Sequence, residues 1–187
     1  MKLLEPINLG PVQLKNRVVS TAHAAFTDFY RPDSSGERYM AYQERRARGG
    51  TGLLIMTALH VHQASQMLNH WVFDATTMAP KFRQISERVH RHGAKIFAQV
   101  FHFGVMGKSD THDDFTPIWG FSPLESADGD ACHVMSDAEI EEVLDSFVSA
   151  STCATENGID GIELHATHGY LIQQSYTPFA NRRTDKW

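Results

Sequence analysis

Hydrophobic positions along the chain fall into short continuous runs separated by longer stretches with a helical period. The clearest runs are Leu53 to Thr57, Lys95 to Val100 and Ile162 to His165, and each begins soon after a glycine. Runs of this length predict buried β-strands. The stretch before each run has helical character and ends at glycine, a common residue at helix carboxyl termini. Arg17 to Thr21 is predicted to be a further strand at the start of the series.

Three helices are predicted between these strands. The first is Glu37 to Arg48, which has helical composition and ends at two glycines. In the second, Phe82, Ile85 and Val89 share one face, and Pro80 is expected in its first turn, where proline is tolerated.

The third helix has the strongest pattern. It begins at a capping box made of Ser136 and Glu139. Its apolar stripe repeats with a period of 3.6 residues and consists of Ile140, Val143, Leu144, Phe147, Val148 and Ser151.

Alternating strands and helices predict an α/β fold with a parallel sheet. Polar side chains lie where the strands end, notably Thr57, Gln99, His102 and His165. That edge carries the active site in a (β/α)8 TIM barrel. The pattern contains about four β/α units, whereas a complete barrel needs eight, in typically about 250 residues. We therefore expect residues 1–187 to be the amino-terminal half of a larger barrel domain.

A long insertion, Asp110 to His133, separates the third strand from its helix. Insertions of this length inside compact domains are often functional lids. A surface excursion that serves to bury Trp119 is an equally good interpretation.

Composition narrows the class of protein. The chain has 187 residues, of which 42% are hydrophobic and 21% charged, and a net charge of −5. These values are typical of a globular domain and argue against a nucleic-acid partner. No apolar run has the length of a membrane span, so no membrane association is expected. Cys132 and Cys153 do not form a CxxC motif, and free thiols in a reducing cytoplasm are expected.

Candidate chemistry is concentrated directly after the last strand, at His165, His168 and Tyr170. Two imidazoles and a phenol in one small volume would stabilise negative charge on a carbonyl oxygen and supply a proton to a developing carbanion. The alternative is that the histidines are structural and that Tyr170 is an aromatic packed at the barrel mouth.

Two segments resemble the old yellow enzyme family of FMN-dependent oxidoreductases. They are HATHGYLIQQSYTPFANRRTD, from His165, and LLEPINLGPVQLKNRVV, from Leu3. The resemblance implies that NAD(P)H supplies electrons to FMN, which reduces an activated C=C bond in a small-molecule substrate. It also implies that His165 and His168 bind the substrate oxygen and that Tyr170 protonates the α-carbon.

The resemblance assigns a further set of residues to the flavin ring. Gln99 would contact the pyrimidine edge, and Ala58 would let the ring approach closely. The complete set of cofactor-binding residues implied is Ala22, His23, Ala24, Ala58, Gln99 and His165.

The run STAHA, ending at Ala24, is more similar to the multidomain branch of that family. This branch includes dienoyl-CoA reductases and amine dehydrogenases, so a flavin-dependent amine oxidation is an alternative activity. Its members carry an iron–sulfur cluster and a second flavin domain, with FAD, further along the chain. A homo-oligomer is also compatible with the resemblance.

Two other classes of protein remain open. His60 and His62, with His102 and His165, have spacing that a metal-dependent hydrolase could use, although Glu163 is the only acid beside them. We expect no metal site. The other class is a non-catalytic half-barrel that only pairs with another chain.

Overall fold

The structure is a computed structural model that describes residues 2–25, 28–65, 72–111 and 116–187. The chain forms two compact units. Unit 1 comprises Met1–Leu59, Asp74–Gln99 and Ala150–Glu163, and unit 2 comprises His60–Phe73, Val100–Ser149 and Leu164–Trp187. Within the described ranges, no helix has the length and apolarity that crossing a bilayer requires.

The strands are short and follow the predicted order. Their bounds are β1 Ile7–Leu9, β2 Val12–Leu14, β3 Val19–Ser20, β4 Leu53–Ile55, β5 Leu59–His60, β6 Lys95–Phe101, β7 Trp119–Gly120, β8 His133–Val134 and β9 Gly161–Leu164. The main sheet has the order β3-β4-β6-β5, and β9 also pairs with β6. β5, β7 and β8 were not predicted from the sequence.

The helices carry the chain between these strands. Their bounds are α1 Glu37–Arg48, α2 Ala75–His90, α3 Asp137–Glu156 and α4 Leu171–Tyr176. α1 has the predicted bounds. The capping box of α3 is also confirmed, because the Ser136 N–H donates to Glu139 Oε2 (2.7 Å) and the Glu139 N–H donates to Ser136 Oγ (3.3 Å).

The predicted position of Pro80 was wrong. α2 begins at Ala75 because Asp74 caps it, its carboxylate accepting a hydrogen bond from the Thr77 N–H at 2.7 Å. Pro80 is consequently inside the helix, where it has no N–H to offer the preceding turn. The predicted buried face is nevertheless present, since Phe82, Ile85 and Val89 are fully buried.

Unit 1 contains the parallel start of the sheet. Val19 of β3 is in register with Leu53 of β4, which is in register with Lys95 of β6. The antiparallel hairpin of β1 and β2 precedes them. α1 packs against α2. A small core cluster is formed by Leu14, Leu53 and Ile55, with Val12, Ala22 and Phe97 packed against it.

Unit 2 contains a second core cluster, formed by Phe121, Met135, Ile140, Val143 and Leu171. The predicted insertion contributes to this core, because Trp119 packs against the cluster and lies in β7, which pairs in parallel with β8. From residue 116 onward the insertion is therefore part of the packed structure. Residues 112–115 of the insertion lie outside the described residues.

Alternation of strands and helices, with parallel pairing of β3, β4 and β6, confirms the predicted α/β fold. β3, β4, β6 and β9 correspond to the four strands expected from the sequence. Parallel β/α units of this kind are the building units of a TIM-type barrel, whose active sites lie at the carboxyl ends of the strands.

Candidate active site

His165 and His168 are brought together in unit 2 at the carboxyl end of β9. His165 is buried, and its backbone N–H donates to the Val100 carbonyl at 3.1 Å. Its Nε2 lies 3.2 Å from Nδ1 of His168. The two ring centroids are 4.9 Å apart in an edge-to-face arrangement.

The contact with the neighbouring Thr167 indicates which ring nitrogen of a neutral His165 carries the proton. The Thr167 N–H donates to Nδ1 of His165 at 3.4 Å. In a neutral His165 the proton is then on Nε2, which donates to Nδ1 of His168. A neutral His168 in turn carries its proton on Nε2. The two imidazoles are hydrogen-bonded to each other in this structure. The role that the family resemblance implies for both, binding of a substrate oxygen, stays a prediction.

The backbone at His168 has an unusual conformation. Its φ is 59°, and it is the only non-glycine residue with positive φ in the part of the chain that the structure describes. Such a conformation costs about 1–3 kcal/mol and is concentrated at functional sites. Gly169 follows with φ 76°. The two residues form a tight left-handed turn that aims the His168 ring back towards His165.

Tyr170 lies beside the histidine pair against an aromatic wall. Its ring centroid is 4.7 Å from that of His165 and 5.9 Å from that of His168. Phe101 and Phe103 pack on it at 5.5 Å and 5.1 Å. This burial raises the pKa of the Tyr170 phenol above its usual value near 10. Tyr170 therefore keeps its proton at neutral pH and has one to give.

Gln99, in unit 1, makes a hydrogen bond that fixes the orientation of its amide. Its Nε2 donates to Oε1 of Glu163 at 2.6 Å. An ionised carboxylate has no proton to give, so the amide must present its NH₂ to Glu163 and not its oxygen. Oε1 of Gln99 therefore points away from Glu163 as an available acceptor.

Of the other residues predicted to contact the flavin, His165 lies in unit 2, and the alanines and His23 lie in unit 1 with Gln99. Ala22 packs against the Leu14 cluster, and Ala58 follows β4 and is half-buried. The ring of the exposed His23 is held by the Thr21 carbonyl at 2.9 Å and by the Tyr42 hydroxyl. His23 and Ala24 line an open pocket of about 620 Å³ beside α1.

His60 and His62, which a metal-dependent hydrolase could use as ligands, make other contacts in this structure. His60 is buried, contacts Ser65 through Nδ1 and packs on Phe101. Nε2 of His62 lies 3.1 Å from the Glu142 carboxylate, and its Nδ1 accepts the Ala64 N–H. Across residues 2–25, 28–65, 72–111 and 116–187, no group of three His, Cys, Asp or Glu side chains has metal-binding geometry.

Comparison with known proteins decides the family. The model of the NADH:flavin oxidoreductase / NADH oxidase family matches residues 2–187. The chain belongs to this family. The resemblance seen in HATHGYLIQQSYTPFANRRTD is therefore confirmed, and the family's general chemistry is flavin-dependent oxidation and reduction.

Two curated relatives illustrate the range of this family. The chain is 35% identical to the multifunctional alkene reductase/demethylase OYE of Caballeronia cordobensis, over 99% of the chain and 27% of that protein. It is 33% identical to the N,N-dimethylglycine/sarcosine dehydrogenase of Chromohalobacter salexigens, again over 99% of the chain and 27% of that protein. The chain thus spans about a quarter of the length of these relatives.

A solved structure confirms the barrel. The chain superposes on Old Yellow Enzyme from Pichia sp. AKU4542 with a TM-score of 0.84 and 27% identity, over 99% of the chain and 51% of that protein. The described strands and helices therefore correspond to about half of an enzyme of this family.

Several contacts at the candidate site of this family member were missed in the sequence. Glu163 was considered only as a metal ligand, although it lies in β9, and the pairing of β9 with β6 brings it to Gln99. Phe101 and Phe103 bracket His102 in the sequence. The buried Gln174 lies four residues after Tyr170, one turn along α4, and that spacing could have pointed to it.

Proposed function

We propose that this chain provides the substrate-activating part of an FMN-dependent oxidoreductase that reduces activated C=C bonds with NAD(P)H as the electron source. The observation that carries the proposal is the cluster of His165, His168 and Tyr170, held against an aromatic wall with its key turn in a left-handed conformation. Such a cluster offers hydrogen-bond donors and a proton donor side by side.

The residues assigned to the cofactor suit a flavin ring. The pyrimidine edge of a flavin offers an N–H donor, and the Oε1 acceptor of Gln99 is directed away from Glu163. Ala22 and Ala58 are small, so a flat ring can approach the backbone. When bound, FMN supplies the hydride that reduction of a C=C bond requires.

His165 and His168 would act on the electron-withdrawing group of the substrate. A carbonyl oxygen gains negative charge as the β-carbon is reduced, and imidazole N–H groups aimed at it stabilise that charge. In the neutral pair, Nε2 of His168 carries the proton that is not used in the hydrogen bond between the two histidines. Nε2 of His165 becomes available if the substrate oxygen replaces Nδ1 of His168 as its acceptor, and catalytic hydrogen bonds commonly tighten in this way only when substrate is present.

Tyr170 would complete the reaction by giving its phenolic proton to the α-carbon. Its raised pKa keeps that proton in place at neutral pH. The phenolate left behind recovers a proton from solvent before the next turnover. Each reduction then consumes one hydride at the β-carbon and one proton at the α-carbon.

Imidazole variants test this proposal in the FMN-loaded protein. His165→Ala and His168→Ala are each expected to lower turnover of an enone by about 10²–10³, the usual effect of losing a donor to a developing oxyanion. Bound flavin, measured by its visible absorbance, should fall far less than turnover. Wild-type kinetics in both variants would refute the role of the pair.

A second candidate function is oxidation of a secondary or tertiary amine. The 33% identity to N,N-dimethylglycine/sarcosine dehydrogenase favours it. Amine oxidation does not need a proton delivered to carbon, so it makes no use of the Tyr170 phenol. Turnover of N,N-dimethylglycine with an artificial acceptor, unaffected by Tyr170→Phe and without enone reduction, would favour this candidate.

A further inference from the structure

The side chain of Gln174 links two loops of unit 2 through its amide. Gln174 is 2% exposed. Its Nε2 donates to the Gly169 carbonyl at 2.6 Å and to the Phe103 carbonyl at 3.2 Å, and its Oε1 accepts the Val105 N–H at 3.2 Å. One side chain therefore uses two donors and an acceptor to hold the loop after β6 against the loop after β9.

The second of these loops carries His168 and Tyr170. Gly169, between them, is held on both sides of its backbone, because its N–H donates to Oε1 of Gln173 at 2.7 Å and its carbonyl accepts from Gln174. Its φ of 76° and the 59° of His168 make this the left-handed turn of the site. Fixing the Gly169 peptide therefore fixes the directions of the side chains before and after it.

The first loop carries the aromatic wall. The ring of Phe103 packs edge-on against Tyr170 at 5.1 Å, and the Phe103 carbonyl is one of the groups that Gln174 binds. Gly104, with φ 59°, allows the close approach, since a Cβ added there would lie 2.2 Å from Oε1 of Gln174. The loop is thus shaped to receive the amide.

We propose that Gln174 is a positioning residue for Tyr170 and His168, which its buried amide holds in the orientation in which they act on substrate. The inference rests on the proposed function, because the roles of Tyr170 and His168 do. Only a neutral amide offers two N–H donors and an acceptor at one position. An ionised carboxylate in its place would oppose two carbonyl oxygens, and a methionine of similar length would bind none of the three groups.

Hydrogen exchange of the 187-residue chain tests the structural part without reference to activity. In Gln174→Met, the amides of residues 103–105 and 168–171 are expected to exchange at least about tenfold faster than in the wild type, because local opening of both loops becomes easier. Gln84→Met is the matched control, since Gln84 is exposed on α2. Unchanged exchange in both segments would overturn the proposal.

Single-turnover kinetics of the FMN-loaded protein test the functional part. Gln174→Met should slow the oxidation of the reduced flavin by an enone by about 10- to 100-fold, as misplacement of a catalytic group typically does. It should leave the reduction of the flavin by NAD(P)H unchanged. Equal slowing of both half-reactions would indicate a general loss of structure and would overturn the positioning role.

Gln174→Glu provides a test within one folded protein. At low pH a protonated carboxyl can donate one hydrogen bond and accept another, so much of the enone rate should be retained. As pH rises and the carboxyl ionises, with a pKa raised by burial, the rate should fall along a titration that the wild type lacks. A variant whose pH profile matches that of the wild type would contradict the inference.

Tyr170→Phe, measured in the same assay, separates the two proposals. If it leaves the enone half-reaction unchanged, the proposed function fails. The exchange experiment then still decides whether Gln174 fixes the turn.

Discussion

His168 shows at the scale of one residue how backbone strain and chemistry are combined. A side chain bearing a Cβ occupies a left-handed conformation that favours glycine, with φ 59°. The turn is held in this conformation because the N–H of the adjacent Gly169 donates to Gln173 and its carbonyl accepts from Gln174. In this turn, Nδ1 of His168 lies 3.2 Å from Nε2 of His165.

Because of this strain, we expect glycine at position 168 to give a more stable protein than alanine, the reverse of the usual order. His168→Gly should be more stable than His168→Ala by about 0.5–1 kcal/mol in free energy of unfolding, because relief of the left-handed strain exceeds the entropic cost of glycine. Urea unfolding of the 187-residue chain measures the difference. At Gln84, on the exposed face of α2, the order should be reversed, with alanine more stable. Greater stability of His168→Ala than of His168→Gly would contradict the account.

The sequence predicted that His165, His168 and Tyr170 would be close, because they follow one strand within six residues. It did not predict that the imidazoles would bind each other, since that depends on the left-handed turn. The partner of Gln99 was also missed, because Glu163 belongs to a different strand and meets it only through the pairing of β9 with β6.

At the scale of an element, α1 is fixed to the end of β4 by one phenol. Tyr39 is fully buried, and its oxygen accepts the Thr57 N–H at 2.7 Å and the Gln43 amide at 2.7 Å. Burial raises the pKa of Tyr39 to about 12. The bounds of α1 were predictable from composition and its terminal glycines, but this anchor was not.

Tyr39→Phe should lower the free energy of unfolding by about 1–3 kcal/mol at pH 8, because two buried donors lose their acceptor. Above pH 10 the unfolded tyrosine ionises and the folded one does not, so the wild type loses stability between pH 10 and about 12 and the gap to the variant narrows. Urea unfolding at pH 8 and 11 measures both effects, with the exposed Tyr176→Phe as control. A gap that widens at pH 11 would contradict this assignment.

At the scale of the whole molecule, unit 2 presents an apolar groove of about 300 Å³. Its walls include Phe147, Leu144 and Leu164, and the last two are 44% and 57% exposed. Exposed apolar surface of this kind promotes association. Periodicity predicted Leu144 and Val148 as part of the apolar stripe of α3. The structure instead leaves Leu144 at the rim of the groove and Val148 exposed outside it.

We expect the 187-residue chain to self-associate through this groove. Leu144→Lys combined with Leu164→Lys should shift the protein towards monomer, because a lysine ammonium is costly to bury in an apolar contact. Light scattering coupled to size-exclusion chromatography over a range of concentrations measures the shift. Val148→Lys, on the same helix but outside the groove, is the control. Identical masses for the double variant and the wild type would exclude the groove as the interface.

The most direct test of the account is rapid-mixing kinetics of Tyr170→Phe in the FMN-loaded protein. The substitution keeps the ring between Phe101 and Phe103 and removes only the proton. Reduction of the flavin by NAD(P)H should proceed at the wild-type rate. Oxidation of the reduced flavin by an enone should be slower by a factor of about 10²–10⁴, the range that general acid catalysis contributes. An unchanged enone rate, or a defect confined to the reduction by NAD(P)H, would contradict the role of Tyr170 as proton donor.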